Sequence, residues 1–137
     1  MERLLLKFVD AKKAFQTFKE ILQQPFSIII RDASIQRFEY TFEALWKFCK
    51  EYLKEKEGVV AATPKSVFRE LFALGILSEE QAEKFLDMTD KRNETSHTYK
   101  EAVAEAIYKE LYDYGFLIEQ LLEKCENRIE KNKGENL

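Results

Sequence analysis

Residues 35–52 have the sequence IQRFEYTFEALWKFCKEY, in which apolar side chains recur every three or four positions. That spacing places them along one face of an α-helix. The apolar face consists of Ile35, Phe38, Phe42, Leu45, Cys49 and Tyr52. A helix with so continuous an apolar face is stable only when other helices cover it, so the pattern predicts an all-α protein.

The same periodicity predicts a helix on the N-terminal side of this stretch. Its apolar residues run from Leu4 to Leu22, and Pro25 ends it. The second helix then begins near Ser27, continues through the charged residues 54–57, and stops at Gly58.

Two shorter helices follow, and capping residues mark their starts. Thr63-Pro64 is an N-cap followed by proline at the first helical position, and this helix ends at Gly75. Ser78 with Gln81 has the form of a capping box, which opens a helix that reaches residues 91–92.

The last helix is predicted to begin near Tyr99 or Lys100 and to run without a break to about Ile129. Short loops favour antiparallel neighbours, so we expect an antiparallel up-and-down bundle of four-helix type with about five helices. We expect the bundle to span residues 1–125, with residues 126–137 as a polar, frayed C-terminal tail.

Composition limits the classes of function. The 137 residues fit one domain and carry a net charge of −3, so any nucleic-acid contact has to use a local basic patch. Cys49 and Cys125 form no CxxC and are predicted to be buried or half-buried, reduced thiols. No apolar run has the length of a membrane span and the N-terminus does not have the pattern of a signal peptide, so a cytoplasmic protein without a membrane partner is expected.

Arg92 and the single histidine, His97, are the residues best suited to chemistry. An imidazole can take or give a proton near neutral pH, and a guanidinium can stabilise charge on a phosphate. Together they suit metal-independent cleavage of RNA by the ribose 2′-hydroxyl. Because that reaction uses a base and an acid, a homodimer with two copies of His97 is chemically attractive. A His that only hydrogen-bonds within its loop is the structural alternative.

Other site classes are poorly supported by the sequence. One His with no cysteine cluster argues against a metal site, and GxSxG, GxxxxGK[ST] and GxGxxG patterns do not occur. Basic and polar residues that could gather near His97 as a phosphate or RNA patch are Arg37, Lys65, Arg69, Lys91 and Asn93, although scattered, solvated charges explain them equally well.

The run Arg92-Asn93-Glu94-Thr95-Ser96-His97-Thr98-Tyr99 resembles the RX4HXY motif of HepT-like proteins of the HEPN superfamily, also described as nucleotidyltransferase substrate-binding proteins. Residues 35–47 and 64–75 are similar to the same group, and the likeness extends over roughly residues 4–122. The resemblance implies a homodimeric helical bundle.

The resemblance also implies a role in a two-gene toxin–antitoxin system. This chain would be the endoribonuclease toxin, with Arg92 and His97 as catalytic residues. A minimal, MntA-like nucleotidyltransferase would be the antitoxin and would transfer AMP from ATP to Tyr99. ATP would then be used by the partner, and no cofactor is expected in this chain. A non-catalytic nucleotide- or substrate-binding subunit of a two-component nucleotidyltransferase is the alternative.

Overall fold

Residues 1–135 are described by the computed structural model, with side chains described as far as Lys131. The described residues form helices and no strand, as predicted. A π-helical turn, Leu53–Glu57, extends the second helix, and a 3-10 turn, Thr95–His97, follows the fourth. The α-helices are α1 (Glu2–Leu22), α2 (Ile28–Tyr52), α3 (Pro64–Ala73), α4 (Glu79–Asn93), α5 (Glu101–Tyr108) and α6 (Leu111–Glu135).

Side-chain caps fix the helix starts where the sequence predicts them. The Ser27 hydroxyl accepts a hydrogen bond from the Ile30 amide at 3.0 Å. Ser78 and Gln81 bond reciprocally as a capping box. Each cap satisfies backbone N–H groups that the helix itself leaves unpaired.

Glycines end α3 and the π-helical extension of α2. Gly58 has a φ of 66° and Gly75 has a φ of 77°. Both values lie in the left-handed region, which residues with a Cβ adopt only at a cost. The predicted stops at these two positions are therefore confirmed.

Helices α1 and α2 form an antiparallel hairpin. The N-terminal ammonium of Met1 contacts Glu55 at 2.7 Å, and the Thr17 and Tyr40 hydroxyls are 2.5 Å apart. Residue numbers thus rise along one helix as they fall along the other. The short link between the two helices imposes this arrangement.

Helix α6 completes a four-helix bundle with α1, α2 and α4. It runs antiparallel to α1, because Lys12 pairs with Glu126 and Lys19 with Glu119. It runs parallel to α2, as the contacts Phe38–Tyr114 and Tyr52–Arg128 show. It runs antiparallel to α4, because Gln81 contacts Lys124 while Lys91 shares a cleft with Glu110. The predicted up-and-down bundle is confirmed.

A row of phenylalanine rings joins α2, α3 and α4. Phe68 stacks on Phe85 with ring centroids 4.8 Å apart, and Phe42 lies 5.9 Å from Phe68 on the other side. All three rings are buried. Because these contacts fix α4 against α2, they also fix the end of α4, where Arg92 lies.

The prediction of one continuous last helix is wrong. The chain breaks at residues 109–110 into α5 and α6. The Glu110 amide bonds to the Ile107 carbonyl three residues back, at 3.0 Å, so the backbone tightens locally before α6 begins. The apolar face continues across the break, which explains why periodicity did not reveal it.

The C-terminal end of α6 also differs from expectation. The helix passes residue 125 and reaches Glu135, and Ile129 is buried in the core. The bundle therefore includes residues that we expected in a tail after residue 125. Residues 136 and 137 of that predicted tail lie outside the described residues.

The two cysteines lie side by side. They are free thiols, both buried, and they occupy matching positions on the parallel helices α2 and α6. A hydrogen bond with Cys125, together with burial, raises the pKa of the Cys49 thiol. Their burial was predicted, but their contact was not.

The phenylalanine row gives a stability prediction. We expect Phe68→Ala to lower the free energy of unfolding by about 3–5 kcal/mol, because it empties a buried position between two rings. Phe72→Ala on the same helix is the matched control. Its ring is 45% exposed, and we expect a loss of at most about 1 kcal/mol. Urea unfolding followed by circular dichroism measures both, and equal losses would contradict the proposed role of the row.

Candidate functional site

The segment after α4 is a tight, internally bonded turn. The buried Thr95 donates its hydroxyl hydrogen to the Arg92 carbonyl at 2.7 Å, and the His97 amide donates to the Glu94 carbonyl at 2.9 Å. These bonds fold the chain back onto the end of α4. Arg92 and His97 are therefore held on one short, ordered piece of backbone.

His97 and Tyr99 both face solvent. Tyr99 is 77% exposed, and its ring centroid lies 6.1 Å from that of His97 in an edge-to-face arrangement. The ammonium of Lys100 lies 5.8 Å from the Tyr99 ring. An imidazole, a phenol and a cation are thus presented together where a macromolecule can reach them.

Arg92 points toward α2. Its Nη2 lies 3.2 Å from Oε2 of Glu43. Its Nε is buried and has no hydrogen-bond partner among the described residues. The guanidinium forms part of the wall of a surface cleft of about 290 Å³, together with Gln36, Glu39, Tyr40 and Glu43.

Glu43 has further partners on its own helix. Trp46 donates its indole N–H to Oε1 of Glu43 at 3.1 Å, and Lys47 lies 4.0 Å from the same oxygen. Oε2 of Glu43 therefore faces Arg92, while Oε1 contacts Trp46 and Lys47 of its own helix. The position of the Glu43 carboxylate is thus defined by more than one contact.

A second arginine anchors the far end of the turn. Arg31, only 5% exposed, bonds through Nη1 and Nη2 to the carboxylate of Glu101 and through Nε to Asp32. The hydrogen bond to Glu101 raises the pKa of the Arg31 guanidinium and outweighs the opposite effect of burial. Since Glu101 opens α5, this contact ties the segment after Tyr99 to α2.

Two of the predicted phosphate-binding residues, Arg37 and Lys65, have partners within the bundle. Arg37 donates to the Thr17 carbonyl at 2.8 Å, and Lys65 pairs with Asp90 at 2.7 Å. Arg69 is exposed on α3 and has no ion pair with any side chain from residues 1–131. Asn93 is exposed at the end of α4, next to Arg92.

Lys91 lies in an acidic cleft between α4 and α6. The cleft has a volume of about 400 Å³ and includes Asp87, Glu94 and Glu110 in its wall. Burial, followed by the negative charge of Glu110, raises the pKa of Tyr114, which also lines it. Through residue 131, no three His, Cys, Asp or Glu side chains are grouped as metal ligands would be. The cleft repels anions such as RNA.

Comparison with known families supports the resemblance drawn from the motif. Residues 6–127 match the family described as nucleotidyltransferase substrate binding protein like. The chain belongs to this family.

Individual proteins from two bacteria are similar to this chain. A Haemophilus influenzae protein named probable ribonuclease HepT is 31% identical, over an alignment that covers 66% of this chain and 66% of that protein. A crystal structure of a Thermus thermophilus protein is 48% identical and superposes with a TM-score of 0.81, covering 84% of this chain and 98% of that one.

A second solved structure, from Haemophilus influenzae, shows the same fold. Its TM-score is 0.62 at 24% identity, and the match covers 91% of this chain and 98% of that one. It is described as having the fold of a substrate binding domain of a nucleotidyltransferase. Within residues 1–135, no helix combines the length and the apolar character that crossing a membrane requires.

Two contacts of the site were not predicted from the sequence, that of Glu43 with Arg92 and that of Arg31 with Glu101. The sequence does show Glu43 one helical turn before Lys47, a spacing typical of a solvent-exposed ion pair. That pattern does not say which face of α2 meets α4. The partners of Arg92 and Glu101 depend on how the helices pack, so only the three-dimensional structure reveals them.

The Arg31 anchor generates a prediction. We expect Arg31→Met to lower the free energy of unfolding by about 1–3 kcal/mol, since hydrogen bonds to charged groups are lost from a buried side chain. Amide hydrogen exchange at residues 98–102 should become faster. Arg69→Met, an exposed arginine, is the control, with an expected change within about 0.5 kcal/mol. A stability loss without faster exchange would show that Arg31 does not hold the turn.

Proposed function

We propose that this protein is a HepT-like, metal-independent endoribonuclease, the toxin of a two-gene toxin–antitoxin pair in the cytoplasm. The observation that carries the proposal is the turn that holds Arg92 and exposed His97 on one short stretch of backbone. The likeness to a protein named probable ribonuclease HepT supports it.

The proposed reaction is transesterification of RNA. The ribose 2′-oxygen attacks the adjacent phosphorus, the bond to the 5′-oxygen breaks, and a 2′,3′-cyclic phosphate and a free 5′-hydroxyl result. One His97 takes the proton of the 2′-hydroxyl, and a second His97 gives a proton to the leaving 5′-oxygen. Arg92 stabilises the negative charge that builds on the phosphorane.

Because each chain has one histidine, the proposal requires a homodimer. Exposed apolar side chains at the start of α2 support an interface near the site. Ile28 is 58% exposed and Ile29 is 80% exposed. Arg31, within one turn of them, bonds to Glu101 beside Tyr99, so these isoleucines lie at the same end of the bundle as the turn. Apolar surface of this kind is typical of protein contacts.

Silencing is proposed to use a second protein, a minimal nucleotidyltransferase of the MntA-like kind. The Tyr99 phenolic oxygen attacks the α-phosphorus of ATP, pyrophosphate leaves, and the phenolic proton passes to a base of the partner. The 77% exposure of Tyr99 favours such access. The new anionic phosphodiester would lie beside His97 and repel RNA. ATP is used by the partner, and this chain holds no cofactor in the proposal.

The nuclease proposal predicts the effect of two substitutions. We expect Arg92→Ala and His97→Ala each to reduce RNA cleavage by about 10²–10⁴-fold, because the first removes charge stabilisation and the second removes proton transfer. Cleavage by wild type should persist in EDTA. Ser96→Ala, an exposed residue of the same turn, is the control and should cleave as wild type does. Each preparation is first checked for dimer mass by light scattering.

The family description favours a second candidate, a nucleotide- or substrate-binding subunit of a two-component nucleotidyltransferase. Calorimetric titration with ATP and AMP separates the two functions. Saturable nucleotide binding by a folded dimer that leaves RNA intact would favour the second candidate and contradict the first.

The silencing step gives its own prediction. After incubation with the partner and ATP, intact mass spectrometry should show a gain of at least one AMP in wild type and no gain in Tyr99→Phe. Tyr112→Phe is the matched control, since Tyr112 is also exposed, and it should gain the same mass as wild type. A mass gain that persists in Tyr99→Phe would exclude Tyr99 as the acceptor.

A further inference from the structure

Arg92, a member of the proposed catalytic pair, contacts another helix through its guanidinium group. Its Nη2 lies 3.2 Å from Glu43 on α2. Its side chain is 31% exposed and that of Glu43 is 34% exposed. A pair this accessible contributes little to folding stability. The ion pair matters more for the position of the Arg92 guanidinium than for folding stability.

The contacts of Glu43 make it a stable reference point. Its Oε1 accepts the Trp46 indole N–H at 3.1 Å and lies 4.0 Å from Lys47. The Trp46 ring packs against the core from its partly buried position. The carboxylate is therefore oriented by its own helix before it meets Arg92.

The geometry determines which edge of the guanidinium remains free. Nε is buried and Nη2 contacts Glu43. Neither Nη1 nor Nη2 donates a hydrogen bond to a described residue, so the hydrogens on both nitrogens remain for a ligand. This edge is suited to two parallel hydrogen bonds with phosphate oxygens. The open cleft of about 290 Å³ beside Arg92 gives access to the side chain.

We infer that Glu43 is a positioning residue for the proposed cleavage: it holds Arg92 against α2, with the Nη1–Nη2 edge available to a phosphodiester. This inference rests on the proposed ribonuclease function. An unrestrained arginine loses rotamer entropy when it is ordered, and Glu43 makes that ordering part of folding. Arg92 then needs little rearrangement as charge builds on the phosphate.

The opposite role would be competition, in which Glu43 keeps Arg92 away from RNA. The two roles predict opposite signs. If Glu43 positions Arg92, Glu43→Ala should lower kcat by about 10–10²-fold, because misplacing a catalytic group reduces the rate by that order. The change in KM should be smaller. Competition predicts tighter RNA binding and faster cleavage.

The test compares three variants of the full chain. Glu43→Ala removes the carboxylate, and Glu43→Gln keeps an acceptor oxygen and should restore most of the lost kcat. Glu39→Ala is the matched control, since Glu39 lines the same cleft one turn earlier and has no ion pair with any described side chain. Cleavage by Glu43→Ala at or above the wild-type kcat would overturn the inference, and so would an equal loss in Glu39→Ala.

A second arm does not depend on RNA. In the RNA-free protein, nitrogen-15 NMR follows the Nε–H of Arg92, whose signal is assigned by its disappearance in Arg92→Lys. Because that N–H is buried, we expect a slowly exchanging signal in wild type and Glu39→Ala, and its loss in Glu43→Ala. Persistence of the slow signal in Glu43→Ala would overturn the inference, whatever the cleavage results. If the slow signal is lost in Glu43→Ala but the wild-type protein cleaves no RNA, Glu43 still positions Arg92. In that case only the ribonuclease proposal is rejected.

Discussion

The packing of α2 against every other helix is the constraint on which the rest of the structure depends. Helix α2 contacts α1, α3, α4, α5, α6 and the 3-10 turn. Its core face is built from residues spaced by threes and fours, and Phe38, Phe42 and Leu45 are fully or almost fully buried. A helix in this position serves as the common reference for its neighbours. It sets where α4 ends and where α5 begins, which are the two ends of the turn that carries His97.

The same helix also supplies the polar contacts at both ends of that turn. Arg31 binds Glu101 after the turn, and Glu43 binds Arg92 before it. The turn itself is closed by short-range bonds such as that from Thr95 to the Arg92 carbonyl. Local bonds thus give the turn its shape, and α2 gives it its location. His97 itself stays exposed, which suits a residue that has to meet a substrate.

The sequence was sufficient to predict the helix starts that carry a side-chain cap and the helix ends at Gly58 and Gly75. Ser27, Thr63 and Ser78 are visible as caps because their hydroxyls bond only a few residues along the chain. The break between α5 and α6 was not predictable in this way, since the apolar spacing continues across it. The C-terminal end of α6 was equally hard to predict, because the burial of Ile129 depends on which helices lie beside it. Periodicity identifies a buried face but not the points at which the backbone is interrupted.

In the candidate site, too, the local features could be predicted from the sequence and the contacts between helices could not. The motif in residues 92–99 is local, so its residues could be singled out from the sequence, whereas the acids that bind its arginines come from other helices. The partners of the basic residues also depend on how the helices pack. Arg37 bonds to a carbonyl of α1, and Lys65 pairs with Asp90 of α4. Their charge is therefore engaged within the bundle, which has a net charge of −3. The net charge of −3 means that a phosphodiester approaching this protein gains little from long-range attraction, so the local geometry of Arg92 has to do more. This is why the position of a single guanidinium, and the carboxylate that holds it, matters more here than in a strongly basic RNA-binding protein.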